Sequence, residues 1–69
     1  MSLYQNTINE LLNGRDYDPR HIEAFMLLQH DTLDHLSREQ MAAEVNICAA
    51  CVDEGGEDAA ELLAQSYGL

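Results

Sequence analysis

The chain has 69 residues, with thirteen Asp and Glu against three Arg and no Lys, and a formal net charge of -10. A single domain of this length holds a core worth about 3 to 5 kcal/mol, so a staple or a partner is often needed, and so negative a surface weighs against phosphate backbones and anionic lipid as ligands. The longest apolar runs, Ala24 to Leu28 and Ile47 to Val52, fall far short of the ~18 to 20 residues that span a bilayer, and the N-terminal segment lacks the basic and apolar regions of a secretion signal. A cytoplasmic protein is expected.

The predicted elements follow from their punctuation. Ser2 can cap a first helix over about residues 3–13, with Leu3, Ile8, Leu11 and Leu12 on one side and Gly14 where a left-handed C′ residue is wanted. Asp18 and Pro19 read as N-cap and N1 of a second helix, 19–30, since proline at N1 loses no intrahelical bond. Its apolar stripe is Ile22, Phe25 and Met26, widened by one or both of Leu27 and Leu28. Asp31 to Leu36 is a turn with room for one helical turn around Thr32 to His35.

Ser37 and Gln40 then form a capping box, with Leu36 and Met41 as its hydrophobic staple, and open a third helix over 38–53. Gly55-Gly56 ends it. A fourth helix over 57–66 carries Ala59, Ala60, Leu62 and Leu63, and Gly68 is its stop. No alternating strand pattern competes. The expected fold is all-α, a compact bundle of four short helices in a single domain, 1–69.

The third helix has two apolar lines. Met41, Val45, Cys48 and Val52 recur at i, i+4, i+7 and i+11 as the core stripe, and Ala43, Ile47 and Ala50 form a second line on the other side. A helix apolar nearly all round is covered twice, here by another element of the same fold or by a second subunit. The expected assembly is a helix-mediated homodimer with Ala43, Ile47 and Ala50 in the contact.

The stretch Leu36-Ser37-Arg38-Glu39-Gln40-Met41-Ala42-Ala43-Glu44-Val45 resembles the first helix of many helix-turn-helix proteins, over about ten residues. The resemblance implies a recognition helix after a short turn, yet Asn46 to Glu54 brings neither Arg nor Lys and ends in Asp53 and Glu54. Direct nucleic-acid binding is not expected.

Cys48 and Cys51 have the C-x-x-C spacing that can chelate zinc or form a redox disulfide. They lie late in a helix and beside acidic residues, which raise a thiol pKa, so they read as reduced core thiols and only as weak metal candidates. His21, His30 and His35 contain no close pair to join them. His21 is expected in an exposed first turn, His30 near a helix C-terminus and His35 in the turn, and His30 and His35 become pH-sensitive if they gain acidic neighbours. No cofactor is expected.

The acidic residues concentrate around Gly55-Gly56. Asp53 and Glu54 stand at the negative end of the third helix, an arrangement costing a few tenths of a kcal/mol each, roughly, whereas Glu57 and Asp58 suit the first turn of the fourth, with Glu61 beyond. This corner fits an Arg/Lys-rich protein surface better than calcium, whose loop spacing is not matched. Tyr4, Tyr17 and Tyr67 are aromatic candidates for anchoring a partner, and Arg15, Arg20 and Arg38 are expected to pair with nearby carboxylates.

In size, charge and lack of catalytic groups the chain resembles the small anti-defence and takeover proteins made by bacteriophages, a class of many folds whose likeness transfers no site residues. The expected function is that of a non-enzymatic, acidic protein-binding module covering a basic, nucleic-acid-binding surface of its partner. The alternative is a structural or adaptor homodimer whose charge maintains solubility.

Overall fold

The computed structural model describes residues 4–69. The fold is all-helical, with no strand among the described residues. Helix α1 spans Gln5–Leu12, α2 Pro19–His30, α3 Arg38–Cys51 and α4 Glu57–Ser66, and a kinked segment, Val52–Gly56, joins α3 to α4. The described residues therefore make three helical stretches, 5–12, 19–30 and 38–66, the last bent at Gly55, instead of separating the last two helices with a loop. The glycine pair bends the chain without releasing it.

Local chemistry accounts for the starts of α2 and α3 and the end of α1. The Asp18 side chain accepts from the Arg20 amide at 2.9 Å ahead of Pro19, and Ser37 and Gln40 exchange the two bonds of the capping box at 3.1 and 2.8 Å. Met41 is buried and Leu36 packs against the same core. At the end of α1, Asn13 takes the left-handed conformation (φ 53°) one residue before Gly14, which follows it there (φ 83°). Asparagine tolerates that region because its short side chain bonds locally. The expected cap Ser2 and the apolar Leu3 lie outside the described residues.

The core gathers Ile8 and Leu12 from α1, Ile22 and Met26 from α2, and Met41, Val45, Cys48 and Ala49 from α3. Leu33 joins them from the turn between α2 and α3, which is closed by a Leu36 amide bond to the Leu33 carbonyl and contains no helical turn. Ala24 of α2 and Ala60 and Ala64 of α4 are fully buried, so small side chains meet where α2 packs against α4. Phe25 of α2 reaches the bend: a Cβ built on Gly56 meets its ring at 3.1 Å and the Cys51 carbonyl oxygen at 2.7 Å. The radius of gyration is 10.6 Å, near the ~11 Å expected of a folded chain of this length.

The core stripe of α3 lies as the periodicity predicts, with Met41, Val45 and Cys48 buried and Val52 packed at its edge. In α2, Leu27 is half-buried and Leu28 exposed. In α4 the buried side is Ala60 and Ala64 with Leu63 half-buried, while Ala59 and Leu62 face outward. No helix among the described residues is long and apolar enough to cross a membrane.

Candidate functional site

Two surface features on the 38–66 stretch stand out, and both are explained by what the rest of the chain leaves uncovered. Packing of α1 and α2 against the Met41–Val45–Cys48 side of α3 turns its opposite line to the outside. Ala43, Ile47 and Ala50 are all exposed, Ile47 by 50%, so no element among the described residues provides the second cover. One of the two covers expected for this line is thereby removed.

The second feature is the bend. Asp53, Glu54, Glu57 and Asp58 are all exposed around Gly55 and Gly56. Because only a kink separates α3 from α4, Asp53 and Glu54 lie just before the positive end of α4, a setting that offsets their unfavourable position after α3. Asp53 is also held: its Oδ2 accepts from the Tyr17 hydroxyl at 2.6 Å, and that bond raises the phenol's pKa. Tyr17 is half-buried against the core, so its ring anchors the α1–α2 loop to the bend instead of projecting as a free aromatic. Tyr4 likewise packs on the core and donates to Asp34, whereas Tyr67 is exposed.

Glu61 behaves differently from the other acidic residues. Arg20 forks onto it, Nη2 to Oε2 at 2.9 Å and Nη1 to Oε1 at 3.2 Å, while Arg20 Nε donates to the Leu69 carbonyl at 2.9 Å. His21 Nε2 stands 3.4 Å from Glu61 Oε1 and 3.7 Å from Asp18 Oδ2. The Arg20 bonds, followed by that from His21, hold the Glu61 carboxyl down at about 2. His21 is therefore buried, contrary to the exposed first turn expected from its place after Pro19, because α4 closes over that turn. Ligand atoms of Asp18, His21 and Glu61 lie within 4.8 Å of one another, a spacing open to a metal ion, but Arg20 Nη1 already stands 3.5 Å from Asp18 Oδ2 and 3.2 Å from Glu61 Oε1. The guanidinium supplies the positive charge there.

This knot gives a pH-dependent tie between α2 and α4. Glu61 has a folded pKa below its ordinary 4.5, so its contribution is complete above that value and is lost as pH falls through about 2. Urea midpoints of the native protein and Glu61→Gln are expected to differ at neutral pH and to converge through that window. A constant difference at all pH values rules the tie out.

The remaining candidates occupy quieter positions. Cys48 is fully buried and Cys51 half-buried, both as free thiols. Burial, and then the Glu44 charge, pushes the Cys48 thiol up to about 12, which leaves it protonated and a poor nucleophile or metal ligand. His30 gains an acidic neighbour: its Nε2 faces Glu44 Oε2 at 3.4 Å, both atoms buried and outside hydrogen-bonding geometry. The His35 ring lies 5.8 Å from that of His30. Arg38 pairs with Glu10 at 3.4 Å on the open surface, while Arg15 turns to the Leu12 carbonyl and Asn46 Oδ1, both at 2.9 Å, instead of a carboxylate.

No protein family, curated protein or solved structure matches this chain. The functional reading therefore rests on the residues. Helix α3 also continues unbroken through Asn46, with no turn there to begin a recognition helix, so the ten-residue likeness to helix-turn-helix proteins does not extend to their geometry. Sequence reasoning missed the burial of His21, Glu23 and Leu33 and the pairing of His30 with Glu44. Each depends on residues distant in the chain or on the path of a turn, and no local spacing signals them.

Proposed function

We propose that the protein is a non-enzymatic, acidic protein-binding module of the cytoplasm that covers a basic, nucleic-acid-binding surface of its partner, acting without a cofactor and without touching nucleic acid or membrane itself. The observation that carries this reading is the exposed bend of Asp53, Glu54, Glu57 and Asp58, on a chain that from residue 39 to its last residue has seven acidic side chains and no Arg or Lys. Glu61 stands beside this bend as its supporting member, its charge shared with Arg20. Such a surface draws a Lys/Arg-rich partner by long-range attraction and repels competing acidic proteins and nucleic acids. The role fits the takeover and anti-defence proteins of bacteriophages that the chain resembles.

Native mass spectrometry of the protein in a lysate of its source cell, with the protein alone as control, tests this. The expected result is capture of a nucleic-acid-binding protein that gives up its nucleic acid. A variant carrying Glu54→Lys, Glu57→Lys and Asp58→Lys is expected to bind at least about tenfold more weakly, and salt to weaken the native complex. Asp53 is left unchanged because Tyr17 depends on it. Equal affinity of the reversed variant removes the acidic bend as the binding surface.

A second reading, a four-helix structural or adaptor homodimer, is favoured by the exposure of Ala43, Ile47 and Ala50. An Ile47→Glu protein that becomes monomeric supports it.

A further inference from the structure

The apolar face of α3 carries charge at both ends. At 100° per residue, Glu39, Ala43, Ile47 and Ala50 fall within about 80° of one another, and Glu54 follows just beyond the helix. All five side chains are exposed. The face is thus a short strip with Ile47 at its middle and small residues on either side of it, edged by the exposed Asn46, with a carboxylate at each end about 22 Å apart along the axis.

That charge pattern decides between occupants. In an antiparallel two-fold pairing centred between Asn46 and Ile47, Glu39 of one copy meets Glu54 of the other at both ends. In a parallel pairing each glutamate meets its own equivalent. Either arrangement sets like charges together, between chains that each carry -10, and such juxtaposition is costly. Arg15 does not offset it: its guanidinium sits beside Asn46, at mid-strip, bonded to Asn46 Oδ1.

The geometry points to a heterologous occupant: an amphipathic helix of a partner protein, with an apolar stripe that covers Ile47 and a Lys or Arg at each end of that stripe, some four helical turns apart, to meet Glu39 and Glu54. Ala43 and Ala50 let a bulky partner side chain approach α3 closely, and the acidic bend beyond Glu54 extends the attraction past the strip. This inference rests on the protein-binding reading above and gives it a docking site and a partner class. The partner's basic surface is then helical and ordered, and recognition has an apolar centre in addition to its charge.

Two synthetic helical peptides of identical composition test it. One carries a Leu/Ala stripe with Lys at both ends, and the other has the same residues with the lysines moved into the stripe. Calorimetric titration is expected to show the first binding at least about tenfold more tightly. Ile47→Glu is expected to abolish that preference, although it adds a negative charge that simple attraction to lysine would reward. Ile47→Ser, which adds no charge, is expected to weaken binding as well, and circular dichroism checks that both variants remain folded.

Equal affinity for the two peptides, or unchanged or tighter binding by Ile47→Glu, overturns the docking site while leaving the acidic-module reading to its own test. Failure of the native protein to bind either peptide also overturns it. So does sedimentation as a dimer that Ile47→Glu dissociates, which assigns the face to a second copy.

Discussion

Ile22→Ala is expected to leave the protein largely unfolded in dilute buffer. Ile22 is fully buried in the first turns of α2, a helix that packs against each of the other three, so its removal leaves a cavity in the core shared with α1 and α3. Truncations of this kind cost about 2 to 5 kcal/mol, the transfer term plus the void left behind. A core in a chain this short supplies only about 3 to 5 kcal/mol, so one substitution consumes most of it. Far-UV circular dichroism and a urea titration read the result directly. Ile22→Val, which removes one methylene at about 0.5 to 1.5 kcal/mol, is expected to retain a cooperative transition at a lower midpoint. If Ile22→Ala keeps a native-like midpoint, α2 is not the element on which the core depends.

Gly56→Ala is expected to be nearly as damaging, for a reason unrelated to backbone freedom. Gly56 has an ordinary φ of -83°, but a Cβ there lies 2.7 Å from the Cys51 carbonyl oxygen and 3.1 Å from the Phe25 ring. The ring can rotate aside, whereas the carbonyl belongs to the last turn of α3 and can move only by opening the bend. Overpacking of this kind costs about 1 to 3 kcal/mol. Gly55 is the reverse case, open on all sides but at φ 99°, where an L side chain is strained. Asparagine, which tolerates positive φ, is therefore expected to be milder than alanine at residue 55 and no milder at residue 56. Urea midpoints of the four variants separate the two causes. If Asn also rescues residue 56, the proposed clash is wrong.

The bend these glycines form is also what holds the proposed acidic surface together. With α3 passing directly into α4, Asp53 and Glu54 are presented beside Glu57 and Asp58 on a single rigid turn, braced by Phe25 beneath and by Tyr17 through Asp53. A loosened bend therefore weakens binding as well as stability. The reversed variant with Glu54→Lys, Glu57→Lys and Asp58→Lys should leave the fold in place, because none of these side chains is buried, so loss of binding without loss of helix distinguishes a surface effect from a folding one.

The sequence by itself determined the elements whose causes are local. Asp18 with Pro19, the Ser37–Gln40 box and the i, i+4, i+7 stripe of α3 act within one or two turns, and α2 and the start of α3 lie where these signals put them. The excess of acid, the gathering of carboxylates at the glycine pair and the second apolar line of α3 were equally legible, since composition and helical periodicity need no knowledge of the partner element.

Tertiary structure alone decided which faces were covered. Whether Ala43, Ile47 and Ala50 lay inside or outside depended on where α1 and α2 packed. Whether Glu61 belonged to the free acidic surface depended on Arg20, 41 residues away in the chain. His21 became buried because α4 closes over the first turn of α2, and Leu33 became core because the turn beside it folds inward. Gly55-Gly56 could signal a stop or a bend with equal local justification, and the contact with Phe25 selected the bend. In each case the energy comes from a contact between distant segments, and a pattern read along the chain carries no record of which segments meet.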